Sequence, residues 1–176
     1  MNKILSLILI LSITSCSSIA FWQSDEIDPD EPRDLIDFNE RFEFTENWET
    51  KFNGENTLNN FIPAFSGSNL FFVDPEGNVS NMDIESGEVL WETELETTIS
   101  AGIVAGFGKL FLSDDQGNLI SLDQEDGSIL WRSFAGGEVL ANVDVDAGLV
   151  IVKTASGFLN AFNIETGSEE WSYRSV

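Results

Sequence analysis

A glycine followed four residues later by a tryptophan occurs at Gly87/Trp91, Gly127/Trp131 and Gly167/Trp171, and the three tryptophans fall 40 residues apart. Tryptophan occurs only five times in the 176 residues, so this spacing marks an internal repeat. A repeat of about 20–50 residues restricts a chain to an array of like units stacked on one another. Three segments align without gaps: residues 69–93, 109–133 and 149–173. Gly77, Gly117 and Gly157 form one column, and Gly87, Gly127 and Gly167 another. Asp83, Asp123 and Asn163 form a third, and Leu70, Leu110 and Val150 an apolar fourth.

Each unit reads as strands. In the middle unit KLFLSD is short and rich in β-formers, DDQGN turns, and NLISLD runs back. QEDG turns again before SILWRSF runs out. The two glycine columns fall at the turns, where a hairpin needs positive φ. One further strand precedes each unit, around 61–65, 99–105 and 139–145, and joins it through SGSN, GFGK or DAGL. Nothing after residue 40 has a helical period. Four short antiparallel strands every 40 residues predict an all-β fold, a β-propeller of four-stranded blades. The blades are expected at about 59–95, 99–135 and 139–176. The glycine sets the last turn, and the tryptophan follows on the outermost strand. Trp91, Trp131 and Trp171 are therefore expected to fill the wedge between blades and to stack near the turn glycine of the next blade.

Charge removes several function classes. Lys and Arg total 8 against 31 Asp and Glu, a net charge of −23. Such a surface repels phosphate backbones, so no nucleic-acid partner is expected. With no histidine, the usual general base, the commonest metal ligand and every His-containing triad are absent. NVDVDAG and DPEGN resemble calcium loops, but the EF-hand spacing fails: counted from Asn142, position 6 is Ala147 and position 12 is Lys153. Asp144 and Asp146 read instead as outward positions of a strand whose Val143 and Val145 point inward. No metal site, no cofactor and no catalytic residues are expected.

The amino terminus carries an address. Lys3 precedes an apolar run from Ile4 to Ile13, too short to span a bilayer and shaped like a signal-peptide core. It ends in Ile13-Thr14-Ser15-Cys16, which resembles a bacterial lipobox, and Cys16 is the only cysteine of the chain. Residues 1–15 read as a lipoprotein signal and Cys16 as the acylated first residue of the mature chain, several acyl chains together giving a stable anchor. Residues 16–40, with the acidic SDEIDPDEPRD, read as a flexible tether reaching at most roughly 80 Å. Trp22 stands close to the anchor. Ser17, not Asp, follows Cys16, which by resemblance to Gram-negative lipoproteins favours sorting to the outer membrane.

Trp48, in NWETKF, resembles LWETEL and LWRSF and reads as an orphan outer strand near 47–52, with no room before it for the other three strands of a blade. It is expected to complete a last blade beyond the present three. Three blades and an orphan strand close no ring, so the chain is expected to be the front part of a longer protein.

Glu92, Arg132 and Ser172 follow the tryptophans where WD repeats carry Asp, and the repeat instead resembles that of quinoprotein-type propellers. From about Leu35 onward the chain resembles the amino-terminal part of the BamB family, the lipoproteins of the outer-membrane β-barrel assembly machine. The residues that carry this are LIDF, Trp48, IPAF and the three blades, together with the lipobox and tether. The resemblance implies a ring of eight blades and a non-enzymatic scaffold anchored on the periplasmic face of the outer membrane of a Gram-negative bacterium. It implies BamA and the assembly complex as partners, and unfolded outer-membrane protein clients as possible ones. The family's BamA-contacting loops fall beyond Val176, so no partner-binding residue is assigned. Two alternatives stand beside it: an unrelated lipid-anchored interaction propeller, and a fragment of a quinone-dependent dehydrogenase.

Overall fold

In a computed structural model of the chain, residues 42–51 and 61–174 are described. The signal segment, Cys16, Trp22 and the tether lie outside them. The chain divides into two units, Met1–Phe44 and Thr45–Val176. Of the first, residues 42–44 are described and hold no strand. All the described strands belong to the second unit.

The alternation of apolar runs with glycine-bearing turns produces three antiparallel sheets in chain order. The first contains β1 (Ala64–Ser66), β2 (Asn69–Val73), β3 (Asn78–Asp83) and β4 (Val89–Glu94). The second contains β5 (Ile99–Gly106), β6 (Lys109–Asp114), β7 (Asn118–Asp123) and β8 (Ile129–Phe134). The third contains β9 (Asp144–Asp146), β10 (Leu149–Lys153), β11 (Phe158–Asn163) and β12 (Glu169–Arg174). Within each sheet every strand pairs with its neighbours in sequence, and no helix occurs among the described residues. This is the expected all-β blade architecture, and the three blades form part of a ring rather than a closed one.

The repeat extends to its irregularities. Each third–fourth strand pair slips by one residue at the same place, between Asn81 and Met82, Ser121 and Leu122, and Ala161 and Phe162. The extra residues are Leu90, Leu130 and Glu170, each just before a tryptophan. A bulge of this kind bends the outer strand and re-aims the side chain beside it.

Strands β6 and β7 are buried on both faces, so consecutive positions such as Leu110–Leu112 and Leu119–Ile120 are apolar. Successive strand residues point to opposite faces. Leu110, Leu112, Ile120 and Leu122 accordingly join Phe71, Val73 and Val79 of the first sheet in one core. Phe111 and Leu119 point the other way and join Val150, Val152 and Phe162 of the third sheet in a second core. The blades are stacked layers, each core shared between neighbours.

The first strands are less regular than the sequence suggests. β1 begins at Ala64, and β9 covers only Asp144–Asp146 beside a lone bridge between Val139 and Thr154. β5 carries a side-chain contact that the third blade lacks. The Ser100 hydroxyl lies 2.8 Å from Asp114 O and 3.3 Å from Ser113 O, holding an irregular stretch of β5 against β6. The equivalent residue forty positions on is Leu140, which has no hydroxyl and is exposed. Val143 is buried, while Asp144 and Asp146 face solvent.

Candidate functional site

The chemistry of the repeat gathers where one blade meets the next. Trp91, on β4, donates its indole N–H to Gln124 O at 3.1 Å. Trp131, on β8, donates to Ile164 O at 3.1 Å. Both acceptors sit in the turn between the third and fourth strands of the following blade. The indole face covers the glycine of that turn: a Cβ on Gly127 would lie 2.6 Å from Trp91 Cζ3, and one on Gly167 would lie 2.6 Å from Trp131 Cδ2. Both glycines hold positive φ, +72° and +67°, so a side chain is disfavoured by backbone and neighbour alike. The rings also lean on the core, Phe71 against Trp91 at 6.0 Å and Phe111 against Trp131 at 5.9 Å between centroids.

Trp48 is placed the same way. It donates to Ile84 O at 3.0 Å, and its Cδ2 lies 2.6 Å from the Cβ position of Gly87. Residues 45–51 nevertheless form no strand. Trp171, on β12, is 40 % exposed, and no described turn covers it.

The other glycine column stands in the second–third strand turns, with φ of +95° at Gly77, +81° at Gly117 and +88° at Gly157. The backbone linking consecutive blades passes close by: Leu95 N donates to Gly77 O, and Ala135 N to Gly117 O. A Cβ on Gly117 would stand 2.7 Å from Gly137 O, whereas nothing lies within 4 Å of one on Gly157.

Two buried carboxylates went unassigned in the sequence, although DPEGN and DDQGN displayed them. Asp114 is 1 % exposed. Its Oδ1 accepts from Gln116 N and Asn118 N, and its Oδ2 from Asn118 Nδ2. Asp74 repeats the arrangement with Glu76 and Asn78. In the third blade the Thr154 hydroxyl accepts from Phe158 N instead. These side chains organise their own turns. In the last turns, the Ser86 backbone N–H and then its hydroxyl hold the Asp83 carboxyl below its usual value, while for Asp126 the Ser128 hydroxyl comes first and its backbone N–H second. Among the described residues no three His, Cys, Asp or Glu side chains are grouped to hold a metal ion.

Four-stranded blades pinned by an indole on the next blade's turn glycine define the class: an arc of a β-propeller. Within that class, residues 45–176 match the family described as "Outer membrane protein assembly factor BamB", and the chain belongs to this family. The BamB of Pseudomonas aeruginosa is 34 % identical over 104 residues, 58 % of this chain and 26 % of that protein. The chain thus spans about a quarter of that relative. The crystal structure of BamB from Moraxella catarrhalis superposes with a TM-score of 0.62 at 23 % identity, covering 72 % of this chain and 39 % of that one. A quinohemoprotein alcohol dehydrogenase from Comamonas testosteroni superposes at 0.55 and 21 % identity, over 65 % of this chain and 20 % of that one. At these identities the two structures speak to the fold alone.

Proposed function

We propose that this chain is part of a non-enzymatic scaffold that assists the insertion of β-barrel proteins into the outer membrane, held on the periplasmic face by acyl groups on Cys16 and docked on BamA. The observation that carries the reading is family membership across residues 45–176. The lipobox ending at Cys16 and the acidic tether after it supply the anchor and the reach. The blades supply rigid, indole-pinned surfaces, and their use is binding rather than chemistry.

The test is purification of the native protein from detergent-solubilised membranes. BamA is expected to co-purify, and Cys16→Ser is expected to move the protein from the membrane to the soluble periplasmic fraction. Recovery of the protein without BamA, under conditions that keep the rest of the complex together, overturns the scaffold reading. Bound quinone absorbance with dye-linked alcohol oxidation would replace it with the dehydrogenase.

A further inference from the structure

Lys109 fills the junction between the second and third sheets. Its side chain is only 15 % exposed, and its Nζ lies 2.9 Å from Glu165 Oε2 and 3.0 Å from Oε1. Glu165 sits in the β11–β12 turn, next to the Ile164 carbonyl that takes the Trp131 N–H. Forty residues earlier, the same two positions are Asn69 and Glu125. Asparagine ends well short of a lysine ammonium and carries no charge. The junction between the first and second sheets therefore keeps the carboxylate and lacks the cation.

A cleft of about 440 Å³ lies at that junction, lined by Asn69, Asn81, Leu90, Asp123 and Glu125 among others. Leu90, displaced by the β-bulge, gives it an apolar wall and is 51 % exposed. Asp123 Oδ1 accepts from Glu125 N, which fixes the turn that presents the Glu125 side chain. Asn81 is 3 % exposed and its Oδ1 has no hydrogen-bond partner. A buried acceptor left unpaired costs free energy, and this one is closed to solvent at the floor of the cleft. Ser121, its counterpart at the other junction, is also unpartnered, and there Lys109 supplies the cation that Asn69 does not.

We propose that this cleft is a docking pocket for a lysine side chain of a partner protein. The alkyl stem lies along Leu90 and the ammonium meets the Glu125 carboxylate, as Lys109 meets Glu165 inside this chain. The net charge of −23 draws a basic partner surface toward it. The Lys109–Glu165 pair is the precedent for a stem with an ammonium at its end, and the apolar Leu90 wall suits that stem where a free metal ion has none.

The test is an NMR titration of the isotope-labelled protein with the tripeptide acetyl-Ala-Lys-Ala-amide. Saturable shifts are expected at residues 69, 81, 90 and 123–125. Glu125→Gln is expected to weaken binding roughly fivefold, the worth of one partly exposed ion pair. Asn69→Lys, which lets the chain fill its own cleft, is expected to abolish it. Lys109→Ala is expected to create a second site at residues 121, 130 and 163–165. Equal shifts with the Nε-acetylated peptide overturn the proposal. So do non-saturating shifts spread over the acidic surface, or binding unchanged in Asn69→Lys.

Discussion

Trp131 donates its indole N–H to Ile164 O across 3.1 Å while its ring covers Gly167, so one side chain both bonds and packs a turn 33 residues further along. The two contributions separate by substitution. Trp131→Phe keeps most of the ring and loses the hydrogen bond, and is expected to cost about 1 kcal/mol. Trp131→Ala also opens the second core, and is expected to cost about 3 kcal/mol or more. Urea unfolding of both variants checks the order. Equal losses would mean the hydrogen bond alone joins the blades.

The same lock can be broken from the other side. A methyl group on Gly127 meets both Trp91 and the Thr93 hydroxyl at 2.6 Å, on a backbone of positive φ. Gly127→Ala is expected to destabilise by about 2 kcal/mol. Trp91 fluorescence should shift to the red as the ring is pushed toward water. Gly148→Ala has similar φ and no neighbour within 4 Å. It isolates the backbone part and should leave the fluorescence alone.

Asp114 is a buried carboxylate whose three nearest donors all lie within four residues of it. Asp114→Ala leaves the buried turn donors unpaired and is expected to cost about 3 kcal/mol. Asp114→Asn retains an acceptor oxygen toward the two backbone N–H groups and is expected to lose less than half of that. Calcium is expected to raise the melting temperature of neither variant nor of the parent protein, because the carboxylate oxygens are spent on the turn. A calcium-dependent rise for the parent protein would refute this account.

The repeat was legible because its columns carry residues with few substitutes: a turn glycine at positive φ, and an indole that bonds and packs at once. The pattern of apolar runs also gave the all-β architecture correctly. Other features had no such signature. Phe107 and Ala147 adopt positive φ, 54° and 49°, directly before Gly108 and Gly148. That pair of left-handed residues makes the tight hairpin turn, yet only the glycine advertises it. The Ser100 hydroxyl that β5 carries is replaced by Leu140 in the third blade, and single residues do not show in a period. The Lys109–Glu165 pair occurs once in three units, so a search for what repeats passes over it. The cleft is visible only as its absence forty residues earlier.

Asp83 offers a pH readout at an exposed turn. Its carboxyl is held below the usual 3.8, first by the Ser86 backbone N–H, then by the Ser86 hydroxyl, with desolvation opposing them. A carboxyl whose folded pKa is depressed contributes stability above the unfolded value and loses it as pH falls through the folded one. The β3–β4 turn should therefore begin to weaken only below about pH 3.8. Carbon-detected titration of Asp83 should give a midpoint under that value. Ser86→Ala should raise the midpoint part of the way, since the backbone donor remains. An unchanged midpoint in Ser86→Ala would assign the shift to the backbone alone.

Ser100 ties three pieces of backbone together with one hydroxyl, 2.8 Å from Asp114 O and from Val139 O and 3.3 Å from Ser113 O. A hydroxyl has one proton, so these carbonyls share it, and Val139 belongs to the segment leading into the third blade. Ser100→Ala is expected to cost about 1–2 kcal/mol, because the serine is 4 % exposed and water cannot take its place. The loss should fall unevenly. Amide exchange is expected to accelerate along 99–106 and around Val139, with β7 and β8 little affected. Ser100→Leu, which copies the residue at 140, should shorten β5 toward the length of β9. A β5 that keeps its full protection with leucine at 100 would show that strand length is set elsewhere in the blade.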